Sequence, residues 1–399
     1  MPPIRTIAAL GVALAAFATT APAQAAPRRL VVGASESASL IPDTVVAKTR
    51  MDLAVLAGFT EIEVRADWSR GETAPTPDEL ASFEASALAA QLDAVRLVIA
   101  VNTGGNRQTP LSLLDRKQFA QYTSALAQSL PYVRDFIIGN EPNLNRFWMP
   151  QFDKRGRDLA APAYEALLAR TYDALKAISP QINVIGGAVS PRGADRAGSG
   201  RQTHSPTTFL LDLGRAYRKS RRNRPIMDLL VIHPYGESSR TPPTALHPKS
   251  TSISIADYPK LVGLLRVAFH GTAQPSASLP ILYGEYGVQT AVPFDKLGAY
   301  TNHGGPAAGD VVPEATQGSY YRRAIALAYC QRTVVGLLFF HVSDEHDLTR
   351  WQSGLFYADD TPKSDLALVK SAADAAQAGT LTCPRARPKQ KPKARRTRS

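Results

Sequence analysis

The chain has 399 residues, 44% of them hydrophobic and 20% charged, with a formal net charge of +12. That is too apolar for a disordered chain, and long enough for one large domain or two of ordinary size. The charge does not mark a nucleic-acid surface: residues 384–399 carry eight Arg or Lys and no acid, and Arg5 lies in the N-terminal leader, which leaves +3 for the body.

In chain order, residues 1–26 come first, with Arg5, an apolar run from Ile7 to Phe17 and a small-residue site ending Ala23-Gln24-Ala25. This is the layout of a secretory signal peptide, with an apolar run too short for a membrane span. An exported, extracellular protein is therefore expected. Eight apolar runs follow, each with a helical pattern after it: "RLVVGAS" (29–35), "TEIEVRADW" (60–68), "VRLVIAVN" (95–102), "DFIIGN" (135–140), "NVIGGAVS" (183–190), "MDLLVIH" (227–233), "PILYGEYG" (280–287) and "VVGLLFFHV" (334–342). Between them, stretches such as "TPDELASFEASALAAQLDA" and "APAYEALLARTYDALKAI" repeat their apolar residues at helical spacing.

Cys330 and Cys383 are the only cysteines. In an exported protein an even pair invites a disulfide, and the sequence leaves open whether the two meet. Closing such a loop would stabilise by about 4 kcal/mol in the chain-entropy model. The Pro-rich basic tail, 384–399, reads as a disordered appendage, either a solubilising extension or an electrostatic tether to an anionic cell envelope.

Near-continuous apolar strands alternating with helices indicate a parallel sheet covered on both faces. Eight such units over residues 27–383 predict a single α/β domain, a (β/α)8 TIM barrel. The first strand is not followed by the glycine spacing of a dinucleotide site, and no Gly-rich phosphate loop or strand-end Lys is present, so no cofactor is expected. Catalytic groups of such barrels sit at the C-terminal ends of the strands. Chemically useful residues gather there: Arg65, Asp67 and Trp68; Asn102; Asn140 and Glu141; His233 and Tyr235; Glu285 and Tyr286; His341, Asp344 and Glu345. The strand starts read as mostly solvated charges and turn residues.

Among them, Glu141 and Glu285 are carboxylates that strands four and seven would set on opposite sides of the mouth, as hydrolysis of a glycosidic bond requires. "GNEPN", holding Glu141, and "GEYG", holding Glu285, resemble the signature segments of the clan A glycoside hydrolases, retaining barrel enzymes that include cellulases and related β-glycanases. The resemblance covers about residues 29–375. It implies that Glu141 is the general acid/base and Glu285 the nucleophile. It further implies that Asn140 binds the sugar 2-hydroxyl, that Arg65 keeps Glu285 ionised, and that Tyr235 donates a hydrogen bond to Glu285 in a pocket lined by His233. An oligo- or polysaccharide substrate and a monomer follow from it.

Trp68 and Trp148 read equally as sugar platforms or as packing residues. Many clan members end strand eight with a tryptophan, but this chain reads "FFHVSDEHDLTRW", so either His341 takes that place or Trp351 enters from the loop. The run from Asp344 to Asp347 reads as a solvated loop and not as a metal site. Residues 289–317 are expected to lie over the mouth. The competing function is a catalytically silent barrel that binds cell-envelope polysaccharide, since one fold hosts many functions. Against it, a binder has no reason to retain both glutamates with Arg65 and Tyr235.

Overall fold

The computed structural model describes residues 28–198, 200–304 and 309–384. The leader and all but the first residue of the basic tail lie outside the described residues. Eight strands form as read: β1 (Val31–Ser35), β2 (Glu61–Trp68), β3 (Arg96–Thr103), β4 (Asp135–Ile138), β5 (Asn183–Val189), β6 (Leu229–Ile232), β7 (Ile281–Tyr286) and β8 (Val334–Phe339). They pair in parallel in sequence order, and β8 closes on β1. The helices around them are α1 (Thr44–Leu56), α2 (Pro77–Leu92), α3 (Leu113–Ser129), α4 (Ala160–Ile178), α5 (Pro206–Ser220), α6 (Tyr258–Phe269), α7 (Glu314–Cys330) and α8 (Leu366–Ala378). No helix among the described residues is long and apolar enough to cross a membrane.

Local chemistry starts the helices where the polar linkers end. Thr76 with Glu79, and Ser112 with Asp115, form reciprocal capping boxes at α2 and α3, and Ser205 caps α5 just before Pro206. Each cap satisfies backbone N–H groups that the first turn cannot pair, worth about 1 kcal/mol.

Alternation along the strands sorts the core into two shells. One face packs outward against the helices. The other fills the lumen with Val98, Ala100, Ile137, Ile185, Ala188, Val231, Leu282 and Leu338. Each large aliphatic side chain buried there stabilises by about 1.5–3 kcal/mol.

The strand starts depart from the sequence reading. Glu61 and Asp135, expected in solvent, are 4% and 2% exposed. Arg96 meets Asp135 through two nitrogens, with Nε at 2.6 Å from Oδ2, and lies 3.5 Å from Glu61. Asn183 donates to the same Asp135 at 2.7 Å. Side chains on three neighbouring strands and the next one thus form a polar floor under the apolar lumen.

At the seam, Cys330 at the end of α7 is bonded to Cys383, 53 residues on. Arg28 donates to the carbonyls of Gln331 and Val334, and Leu30 N–H to Ala376. Both described ends of the chain are fastened at the same pole of the barrel.

Candidate active site

The carboxylates at the opposite pole owe their direction to backbone irregularities. In β7, Tyr283 pairs with Leu337 and Tyr286 with Phe339, so β7 carries one residue more than β8 over this interval. Leu282 belongs to the lumen, whereas Tyr283 and Tyr286 are buried in the outer shell. The extra residue breaks the alternation and leaves Glu285 turned toward the site, a role bulges serve beside active sites. The glycines of "YGEYG" make room: a Cβ on Gly284 would lie 3.3 Å from the His233 ring, and one on Gly287 3.3 Å from Tyr235.

On β4 the regular strand stops at Ile138, two residues short of the reading. Glu141 takes a left-handed φ of 38° and its N–H donates to Ala188 O at 2.8 Å. A non-glycine residue in that region is strained, and it persists where its surroundings fix it. Asn143 supplies much of that fixing: fully buried, it donates to Ser190 O and His204 O and accepts from Ser190 N–H. Tyr164 of α4 donates to Ile138 O at 2.6 Å and accepts from Gly187 N–H at 2.8 Å. Sequence reasoning missed both residues. The second Asn of "NEPN" was the available signal for the first, and nothing marked the tyrosine.

These elements bring Glu141, Glu285, His233 and Tyr235 together. His233 Nδ1 lies 3.3 Å from Glu141 Oε1 and 3.5 Å from Glu285 Oε2. Tyr235 Oη donates to Glu285 Oε2 at 2.9 Å. Burial alone would strip the charge from His233, but Glu285 and Glu141 outweigh it and hold the imidazole up to about 9. It is an imidazolium at neutral pH, shared by two carboxyl groups. Glu285 is pushed above the ordinary carboxylate range, first by burial, with His233 opposing and Glu141 adding to the rise.

Arg65 stands elsewhere. Its side chain is 58% exposed and pairs with Asp67 at 3.2 Å, two residues along the same strand face. His233 and Tyr235 occupy the neighbourhood of Glu285 that the resemblance gave to Arg65, and burial leaves Glu285 raised where an adjacent arginine would have lowered it. Asn140 is half-buried beside Glu141 in the chain.

The tryptophans resolve into packing and site. Trp68 and Trp148 are 0% and 1% exposed, edge-on to Phe119 and Tyr164, so the platform reading of both is set aside. Both side chains are buried in the outer shell. Trp351 does enter from the loop, 5.3 Å from the Tyr235 ring and 5.5 Å from Phe340. His341 faces β1, its Nδ1 2.8 Å from Ser35 O. Asp344 is buried against Lys363 Nζ at 2.8 Å and accepts from Tyr300 at 2.8 Å. It ties the loop after β8 to the segment that follows β7, and is not the solvated residue the sequence suggested. Arg192, after β5, is a cation within electrostatic reach of Glu141 that the sequence reading passed over.

A cavity of about 860 Å³ lies away from this site, between α3 and α4 on the outer face.

Known structures share this architecture. The GH39 enzyme from Xanthomonas axonopodis pv. citri superposes with a TM-score of 0.51 at 15% identity, over 89% of this chain and 71% of that one. GH5_18 from Streptomyces cattleya, in complex with GlcNAc, gives 0.57 at 15% identity, over 90% and 83%. A monomeric beta-xylosidase from Caulobacter crescentus CB15 gives 0.53 at 16% identity, over 86% and 67%. These structures share the (β/α)8 barrel fold of this chain. No family model matches the sequence, and no curated protein does. At these identities the likeness establishes the fold; the chemistry has to come from the residues.

Proposed function

We propose that this chain is an exported, retaining glycoside hydrolase acting on a β-linked glycan, with Glu285 as nucleophile and Glu141 as acid/base. The observation that carries the reading is the sharing of one imidazole nitrogen by both carboxylates, at 3.3 and 3.5 Å. Two oxygens on one nitrogen are closer together than those contacts laid end to end. That favours the roughly 5–5.5 Å carboxyl spacing of retaining enzymes over the wider gap that admits a water molecule.

The hydrogen bonds favour this division of roles. Glu285 accepts a hydrogen bond from Tyr235 and has the His233 imidazolium 3.5 Å away, which together stabilise its anion; Glu141 has the hydrogen bond to His233. In the first step a Glu285 oxygen bonds to the anomeric carbon as the glycosidic C–O bond breaks, and the Glu141 proton passes to the leaving oxygen. In the second, water gives a proton to Glu141 while its oxygen displaces Glu285. Asn140 is positioned in the chain to bind the sugar 2-hydroxyl. Trp351 on Tyr235 offers an apolar ring face for the sugar, in the role expected of a strand-eight tryptophan. Arg65 and His341 would line the outer part of the pocket.

The beta-xylosidase among the similar structures directs the choice of substrates. The test is the mature protein against a panel of aryl β-glycosides and polysaccharides, beside Glu285→Ala and Glu141→Ala, with the anomer of the product followed by NMR. Hydrolysis with retention, lost in Glu285→Ala, is expected. No hydrolysis on any substrate would favour the polysaccharide-binding alternative, and an inverted product would remove the nucleophile. Export is checked by cell fractionation and by mass spectrometry of the mature N-terminus, expected after about residue 26. The same fractions, washed with salt, test whether the basic tail holds the protein at the envelope.

A further inference from the structure

Four adjacent polar residues, Asp344 to Asp347, stand in the loop after β8. Three of them tie that loop to its neighbours. Asp344 lies in the buried pair with Lys363, and Lys363 Nζ also donates to Thr290 Oγ1 at 2.7 Å. Asp347 accepts from Thr349 N–H within the turn and from Asn302 Nδ2 across it, both at 2.8 Å, while Thr301 N–H donates to His346 O at 2.8 Å. The loop is thereby fastened to the segment after β7.

Glu345 makes a different set of bonds. Its N–H donates to Trp351 O at 3.1 Å, and its side-chain Oε2 accepts from Trp351 N–H at 2.9 Å. Both backbone polar groups of Trp351 are therefore taken by one residue, six positions earlier. Buried Gln352 braces the turn between them, its Nε2 donating to Asp347 O at 3.0 Å and to Glu345 O at 3.4 Å. Arg350 Nη1 lies 3.5 Å from Glu345 Oε1, and His341 Nε2 4.0 Å from Oε2. Trp351 is the residue of this turn that reaches the site: the rings of Trp351, Tyr235 and Phe340 pack on one another, with centroids 5.3 to 6.1 Å apart, and Tyr235 donates to Glu285. These ring contacts are apolar, so the direction of the indole depends on the backbone that carries it.

We propose that Glu345 is a positioning residue of this site, which sets the Trp351 indole against Tyr235 as a sugar-binding surface by holding the tryptophan backbone through both its polar groups. Glu345 touches no reacting atom; it acts through the tryptophan. Fixing one backbone residue costs about 1–2 kcal/mol, and a turn closed in the free protein spares an incoming sugar that cost. Its neighbour Asp344 has another task. Removing Asp344 would strand the fully buried Lys363, whereas the Glu345 side chain is 29% exposed and its loss strands no buried charge. The activity arm of this proposal rests on the glycosidase reading; the spectroscopic arm does not.

Trp68 and Trp148 are 0% and 1% exposed and Trp351 is half-buried, so acrylamide quenching of tryptophan fluorescence reports on Trp351, and Trp351→Phe verifies the assignment. Glu345→Ala is expected to increase the quenching, and to raise KM roughly tenfold with kcat within about threefold, as the loss of binding shared by ground and transition states does. Glu345→Gln keeps an acceptor oxygen for Trp351 N–H and returns both toward wild type. Quenching unchanged in Glu345→Ala overturns the proposal. So does a fall in kcat with KM unmoved, and so does a Gln variant as impaired as the Ala variant. Should the Ala variant not fold, Glu345→Asp, one methylene short of Trp351 N–H, is expected to change both readouts in the same direction by less; wild-type values there also overturn it. The quenching arm needs no substrate. A wild type without glycosidase activity would sink the functional reading and still leave the hold of Glu345 on the indole measurable.

Discussion

Arg96 between Glu61 and Asp135 at one pole of the lumen, and His233 between Glu141 and Glu285 at the other, are one inventory used twice: a cation between two carboxyls, on the same eight strands. At the floor the cation is a guanidinium, which keeps its proton across the accessible pH range and grips Asp135 with two nitrogens, while Asn183 takes up further acceptor capacity. At the mouth the cation is an imidazole, which titrates, and it meets each carboxylate with a single long contact. The floor is saturated and so inert. The mouth keeps carboxylate oxygens unspent on the protein, and those are the ones a substrate can use.

The widest separation of the two poles is expected from Glu285→Gln. It should cost at least about 10³-fold in kcat/KM on whichever glycoside the wild type cleaves, with the urea midpoint unchanged or slightly raised because a buried charge is gone. A midpoint that collapses instead would make the mouth structural like the floor. Asp135→Asn is the mirror experiment. Its loss strands the Arg96 charge and should lower unfolding free energy by about 2–3 kcal/mol, less than a fully buried pair because half of Arg96 remains in water, with kcat/KM nearly unchanged. Tyr235→Phe removes one hydrogen bond to a charged acceptor and should lower kcat/KM by roughly 10- to 100-fold.

The poles should also differ in the dependence of stability on pH. His233 has a folded pKa near 9 against an ordinary value of 6.5, so its contribution to stability is full below about 6.5 and lost as pH rises through 9. Thermal unfolding midpoints should fall between pH 7 and 9.5, and His233→Asn should flatten that slope, whereas Asp135→Asn should leave it in place. A slope that survives in His233→Asn would locate the titrating group elsewhere.

The barrel was legible because its signal is repeated: eight apolar runs, each bounded by a helix, leave few other architectures. Glu141, Glu285, His233 and Tyr235 were legible because strand ends mark the mouth. Side-chain direction was less so. Alternation alone would send Glu285 outward with Tyr283, and the extra residue that turns it inward depends on pairing with β8, which no single strand records. Glu61, Glu63, Arg65 and Asp67 did display a charged face on β2, but whether that face looks into the lumen or toward helices is a matter of closure. Trp68 falls on the opposite face of the same strand, and that parity against Arg65 was the available hint that it packs outward. Arg65 found Asp67, its neighbour two residues on, before any carboxylate across the barrel.

Both ends of the described residues are fastened at one pole of the barrel. Arg28 and Cys383 are held around the turn from α7 into β8, at the pole where the strands begin, while Glu141 and Glu285 open at the pole where they end. The described chain thus begins and ends at the pole opposite the pocket.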